Sequence, residues 1–312
     1  MNKTKQKSPH RFRGMMPVLP TPIDESRKLD EKSLRRLVQY CLKCGAVAIG
    51  HLGGASEFFK VSDPERRRII EIVVAEVGRR VPVFIGVTAP SERSAVVYAR
   101  QAQELGADLL MAAPPYVRPA DAGDLYAYYK AISQVVSIPI IIQDAGNAPA
   151  LTADLMCRLY REIENIHYVK SEASDFLPKT AELIEKSQGE MPLIGGAGGR
   201  HMIHMLRIGV TAFMTGTEAL DLHAAVVSSY LNGNKEKAAQ LYYDKLLPYL
   251  MFYVEHNREL LKLMLYRRGV IDCPQQLLPR DSQPLSPVEE REFQWIMNRI
   301  GMNVRWPEIM QF

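Results

Sequence analysis

Cysteine and tryptophan are scarce: the 312 residues hold four of the first (Cys41, Cys44, Cys157, Cys273) and two of the second. Four irregularly spaced thiols make no disulfide framework, and a chain this long buries roughly three quarters of its unfolded surface without one. Cys41 and Cys44 form a C-x-x-C, but no second pair completes a zinc site and both fall in a helical stretch, Leu34–Cys44. They read as core packing in a reduced, cytoplasmic protein. Long apolar runs are absent as well. The longest, Val81–Val87 and Ile138–Ile142, fall far short of the roughly 20 residues that span a bilayer, so no membrane partner is expected. Excess charge is slight, 39 basic against 35 acidic residues. Part of it sits in Lys3, Lys5, Lys7, Arg11 and Arg13, so residues 1–12 read as a solvated basic tail. No Lys/Arg stripe interleaves with aromatics, which argues against nucleic acid. G-x-S-x-G, H-E-x-x-H and the phosphate-loop pattern are all missing, and with them hydrolase triads, zincins and nucleotide loops. His201 and His204 stand three apart with no carboxylate or thiol to complete a metal set, and no cofactor is expected.

What the chain does have is alternation. Short apolar runs recur at Gly14–Leu19, Ala46–His51, Val81–Val87, Ala107–Ala113, Ile138–Asp144, His167–Ser171, Pro192–Gly195 and Thr211–Met214. Continuous Val/Ile/Leu runs indicate parallel strands covered on both faces. Helices separate them. Ser62-Asp63-Pro64-Glu65 is a helix start, followed by an apolar face of Ile69, Ile70, Val73, Val74 and Val77, with Arg66–Arg68 assigned to the solvated side. Ala95, Tyr98, Ala99, Ala102 and Leu105 form the next stripe, closed by Gly106; Thr152-Ala153-Asp154 opens another helix. Eight strands alternating with helices predict an α/β fold, a (β/α)8 TIM barrel over residues 13–217; a doubly wound open sheet is the rival. From residue 218 to 312 no strand separates the helical stretches Ala219–Leu231, Lys235–Glu255, Arg258–Arg268 and Pro287–Ile300, which predicts a C-terminal helical appendage.

In such a barrel the active site lies where the strands end. Those positions hold Gly53–Glu57, Thr88, Pro114-Pro115-Tyr116, Gln143-Asp144, Lys170-Ser171-Glu172, Gly195–Gly199 and Thr215-Gly216-Thr217. Lys170 follows Ile166-His167-Tyr168-Val169, so its side chain is expected in the barrel mouth. Burial lowers an amine's hold on its proton and frees it to attack a carbonyl; the plainer alternative is a lysine paired with Glu172 or Asp144.

Thr21-Pro22, Ser62–Arg66, Ala107-Asp108, Pro114-Pro115-Tyr116, Tyr128–Ile132, Pro139–Gln143 and the strand ending at Lys170 run in this order from Arg13 to about Gly269. In that arrangement the chain resembles the dihydrodipicolinate synthase / N-acetylneuraminate lyase family of class I aldolases. The resemblance implies that Lys170 forms the Schiff base with a 2-oxo acid, and that the molecule is a homotetramer. It also marks departures. Gly53-Gly54-Ala55-Ser56-Glu57 stands where the family has Gly-Thr-Thr-Gly-Glu, and Gln143 where it has a proton-carrying tyrosine. An amide does no acid–base chemistry near neutral pH. Ser56-Glu57, Gln143-Asp144-Ala145, Lys170-x-Glu172, Met214-Thr215-Gly216 and Glu255–Arg258 are similar to the branch containing L-2-keto-3-deoxyarabonate dehydratase, with Gly146 near the position where that branch has proline.

The resemblance therefore implies a Schiff-base lyase acting on a 2-keto-3-deoxy sugar acid, as dehydratase or aldolase. A pyruvate-dependent aldolase or synthase, and a barrel that only binds a 2-oxo acid, are the alternatives. Lys170, Tyr116 and Gln143 are the expected catalytic residues; in family members the tyrosine at Tyr116 can serve a neighbouring subunit. Gly54, Ala55, Ser56, Asp144, Glu172, Gly196 and Thr215 are expected at the substrate. Glu172 has two readings, the missing base or the ion partner of a basic residue. Gly195–Gly199 reads as a backbone loop lining the pocket, and His51 as a core residue.

Overall fold

The computed structural model describes residues 11–145, 150–172, 176–256, 258–280 and 282–312. Gly146 and Asn257 lie outside them. Eight parallel strands alternate with helices: β1 (Gly14–Met15), α1 (Glu31–Lys43), β2 (Ile49–His51), α2 (Asp63–Val77), β3 (Val83–Gly86), α3 (Glu92–Glu104), β4 (Leu109–Ala112), α4 (Ala122–Ser133), β5 (Ile140–Asp144), α5 (Ala153–Glu162), β6 (Ile166–Ser171), α6 (Phe176–Lys186), β7 (Leu193–Gly195), α7 (Met202–Arg207), β8 (Ala212–Phe213) and α8 (Leu220–Leu231). From β2 to β8 each strand pairs with the next, and β1 pairs with β8. The parallel bridge Val18–Gly50, with Leu19 N donating to the Gly50 carbonyl at 2.8 Å, joins the first strand to the second and closes the ring. The expected TIM barrel is the observed fold.

Side chains on each strand alternate between the barrel interior and the helical layer. Met16, Val18, Ala48, Phe84, Leu109, Met111, Ile141, Tyr168, Ile194, Ala212 and Met214 fill the interior. Phe12 joins them, its ring 5.5 Å from that of Tyr168. The neighbours of these residues, such as Ile85, Leu110, Ile142 and Val169, pack outward among the helices. Small residues make room at crossings: a Cβ on Gly50 would lie 2.0 Å from the Phe84 ring.

Local signals explain the helix ends. Ser62 and Glu65 form a reciprocal cap on α2, and Gly78 closes that helix at φ 57°. One assignment on α2 is corrected. Arg66 is not solvated but 3% exposed; its Nη1 donates to the Gly86 carbonyl at 3.0 Å and its guanidinium lies 4.1 Å from the Tyr98 ring centre. A long side chain at the edge of an apolar face can reach inward when a partner awaits it.

Beyond α8 the chain is helical: α9 (Lys235–Leu241), a π turn over Tyr242–Leu246, α10 (Leu247–His256), α11 (Arg258–Arg267) and α12 (Pro287–Ile300). Arg268, 2% exposed, fastens this part to the barrel. It pairs with Asp221 at 2.5 Å, donates to the Tyr40 hydroxyl at 2.8 Å and to the Val304 carbonyl at 3.2 Å. No helix of the described residues is long and apolar enough to cross a membrane.

Candidate active site

Lys170 stands on β6 in the same inward row as Tyr168, one step beyond the apolar interior. Its side chain is 8% exposed and its Nζ lies 2.8 Å from Glu172 Oε2. Gln143 is the register partner of Lys170 on β5, and its Nε2 donates to Glu172 Oε1. The backbone N–H of Ala197 donates to Glu172 Oε2 at 3.3 Å. One carboxylate thus receives an amine, an amide and a main-chain donor. Gly196 makes this possible, since a Cβ there would lie 2.5 Å from the Glu172 Cβ and 2.7 Å from its Oε2. The plainer reading of Lys170, paired with Glu172, is the arrangement found, and it lies inside the pocket.

A cavity of about 300 Å³ opens above this pair. Gly54 and Ala55 of the turn after β2, Gln143, Lys170, Glu172, Ala197 and Gly198 form one part of its wall. Val18 and, after β8, Met214, Thr215 and Gly216, together with Arg200, Tyr253 and Val254, form the rest. Thr215 donates its hydroxyl to the Gly216 carbonyl at 2.8 Å. Arg200 is exposed at the rim; its Nε donates to the Ala197 carbonyl at 3.3 Å.

Four expected residues do not line the cavity: Gly196, which lies behind Glu172, and Asp144, Ser56 and Tyr116. Asp144 follows Gln143 on β5 and so faces the opposite way, where it pairs with Lys179 of α6 at 3.1 Å. The two-residue period of a strand admits one of the pair to the mouth, and it admits Gln143. Ser56 is fully buried; its hydroxyl donates to the Leu19 carbonyl at 2.5 Å and accepts from Gly53 N at 3.3 Å, holding the turn rather than a ligand. Tyr116 is 40% exposed, edge-on to Phe58 at 5.7 Å, and does not line the cavity of its own chain. Partial burial raises its phenol pKa, against the opposing pull of Arg66. His51 is fully buried below the loop, and burial lowers its imidazole pKa to about 3. Among the described residues no group of three His, Cys, Asp or Glu side chains is placed to hold a metal ion.

Sequence reasoning left out the roles of Arg200, Tyr253 and Val254. Arg200 directly follows a glycine-rich strand-end loop, which was a usable signal. Tyr253 and Val254 come from α10, and no local pattern says that a helix outside the alternation will close over the mouth.

The matches to known proteins run over most of the chain. A model of the Dihydrodipicolinate synthetase family matches residues 11–300. The chain is 30% identical over 309 residues to L-2-keto-3-deoxyarabonate dehydratase from Azospirillum brasilense, covering 95% of this chain and 97% of that protein. It is 34% identical over 265 residues to 4-hydroxy-tetrahydrodipicolinate synthase from Nitrosococcus oceani, covering 83% and 89%. In fold it matches the crystal structure of dihydrodipicolinate synthase from Acinetobacter baumannii complexed with pyruvate, with a TM-score of 0.85 at 24% identity over 93% of this chain and 99% of that one. On the strength of a match running almost end to end, the chain belongs to the dihydrodipicolinate synthetase family.

Proposed function

We propose that the protein is a lysine Schiff-base lyase that dehydrates a 2-keto-3-deoxy sugar acid. One observation carries the reading: an inward amine, Lys170, has a carboxylate, Glu172, 2.8 Å from its Nζ within an open cavity. Gln143 stands there in place of the tyrosine that the family resemblance puts at this strand end. Glu172 takes the proton of the Lys170 ammonium, and the free amine adds to the C2 carbonyl. Glu172 returns that proton to the departing C2 hydroxyl, so water is lost, the carboxylate is restored and a protonated imine remains, which draws electrons from C3. Glu172 is the base within reach for the C3 proton, giving an enamine. The enamine expels the C4 hydroxyl, which leaves as water with a proton from the Glu172 carboxyl. Hydrolysis of the imine returns Lys170. Gln143 orients Glu172 without changing protonation. The turn at Gly54 and Ala55 receives the C1 carboxylate, and Arg200 and Tyr253 face the hydroxylated end. The dehydratase from A. brasilense supports dehydration over carbon–carbon cleavage, which would instead release pyruvate.

Borohydride reduction in the presence of pyruvate or a 2-keto-3-deoxy acid tests this. The expected result is a mass increase equal to the reduced adduct on Lys170, and none in Lys170→Arg. Glu172→Gln should still be trapped but lose about 10²-fold or more in turnover. A wild-type Lys170 left unmodified across the panel overturns the proposal, and pyruvate as product reassigns the enzyme to cleavage. In this reading the enzyme is cytoplasmic and a homotetramer. Exposed Tyr116 and Val117 lie on a face suited to a second copy, and the mass of the particle in solution checks it.

A further inference from the structure

Four acidic side chains are buried among the described residues: Glu57, Asp144, Glu218 and Asp221. Three have a cation in contact. Glu57 pairs with Lys60 at 2.9 Å and Lys262 at 2.7 Å, Asp144 with Lys179 at 3.1 Å, and Asp221 with Arg268 at 2.5 Å. Glu218, 2% exposed, has no ion pair among the described residues, and its Oε2 makes no hydrogen bond. The Thr217 Oγ1 is likewise buried without a hydrogen-bond partner, and the buried Tyr249 hydroxyl faces the Glu218 carboxyl. Such a cluster is strongly disfavoured in a core unless it serves some purpose.

Its location suggests the purpose. Gly216 lines the cavity above Lys170, and a Cβ on Gly216 would lie 2.3 Å from Glu218 Oε2. The acid therefore sits directly behind the cavity wall. Tyr249 lies one helical turn before Tyr253 on α10, their ring centres 5.7 Å apart, and Tyr253 lines the same cavity. The groups facing Glu218 are Tyr249 of α10, Arg268 after α11, Thr217 on its own loop and the Cys41 thiol of α1. Arg268 gives Nη1 to the Glu218 main-chain carbonyl at 3.0 Å, and its charge is committed to Asp221. Burial outweighs the donors and Arg268, and lifts the Glu218 carboxyl to about 7.

We propose that Glu218 is a positioning residue of the Lys170 site, whose neutral form keeps the Gly216 wall and the Tyr249–Tyr253 column packed and whose ionisation loosens them. The proposal rests on the Schiff-base reading above. A neutral acid needs no counter-ion. A carboxylate does, and with Arg268 held by Asp221 its remaining source of stabilisation is water. Water drawn behind Gly216 displaces the wall that carries Thr215 and the column that carries Tyr253. Imine formation at Lys170 then slows as Glu218 releases its proton to solvent.

The test is imine formation with pyruvate, trapped by cyanoborohydride and read as the modified fraction of Lys170, from pH 5.5 to 8.5. Dividing each variant by wild type at every pH cancels the pH effects common to both, those of the reagent included. Glu218→Gln cannot ionise, so its ratio to wild type should rise about threefold or more between pH 6 and 8. Tyr249→Phe removes a hydroxyl that favours the charged carboxylate, so Glu218 stays neutral to higher pH and this ratio should also rise above its pH 6 value near pH 7.5. The second variant carries the test if the first folds poorly. A purely structural role lowers both variants equally at all pH, and such flat ratios overturn the proposal while leaving the Schiff base intact. Absence of any wild-type adduct overturns the Schiff base and this proposal together.

Discussion

A proton on Glu218 is worth stability as well as order. Its folded pKa, about 7, stands above the ordinary 4.5, so the native protein keeps a proton that the unfolded chain gives up. Stability is therefore full below the unfolded pKa and is lost as pH rises from about 4.5 through 7, by roughly 3 kcal/mol at pH 8 from about 1.4 kcal/mol for each pKa unit. Glu218→Gln should flatten that decline. Urea unfolding at pH 5 and pH 8 measures it, and an equal loss in variant and wild type would show that Glu218 is not the titrating group. Single residues were also where the sequence was hardest to read. Gln143 as a catalytic residue and Asp144 as a substrate contact are both expected in the mouth, although strand alternation alone separates them. Ser56 is expected at the substrate, and its neighbours give no sign of its actual role, because its acceptor, the Leu19 carbonyl, lies 37 positions away in the chain.

At the scale of elements the sequence is far more transparent. A continuous apolar run between turn signals needs no tertiary information to read as a covered strand, and each of the eight observed strands falls on one of the runs, with β6 starting one residue early at Ile166. Caps behave the same way, since the Ser62–Glu65 exchange is local. How one element docks on the next is not local, and Arg66 shows it. This side chain bridges α2 to β3 through Gly86 and to α3 through Tyr98. Arg66→Ala should cost about 2–4 kcal/mol, the sum of a charged hydrogen bond and a buried cation–π contact, with the Gly86 carbonyl left short of a donor. A loss below about 0.5 kcal/mol in chemical denaturation would return Arg66 to the solvated face.

For the molecule as a whole, Arg268 is a fastening between the barrel and the C-terminal helices, beside the Glu57–Lys262 pair. Arg268 draws together α1 through Tyr40, α8 through Asp221 and the final segment through the Val304 carbonyl, while Met310 N donates to the same Asp221 carboxylate at 2.9 Å. Arg268→Ala leaves Asp221 buried and unpaired, which should cost about 3–5 kcal/mol. Because α10 carries Tyr253 and Val254 to the cavity, the same variant should also weaken pyruvate trapping, as measured beside its melting temperature. A destabilised protein with wild-type trapping would show that the two parts are independent. None of this assembly was legible beforehand, because it depends on side chains more than 200 positions apart meeting at one guanidinium.

The Phe12 ring sealed against Tyr168 has a kinetic corollary. The barrel interior below Lys170 is packed with side chains, so in the proposed reaction substrate and product share the mouth lined by Tyr253 and Val254 of α10. Product must clear that doorway before the next molecule enters, so product inhibition should be competitive with substrate, and any slowing of α10 should throttle departure as much as arrival.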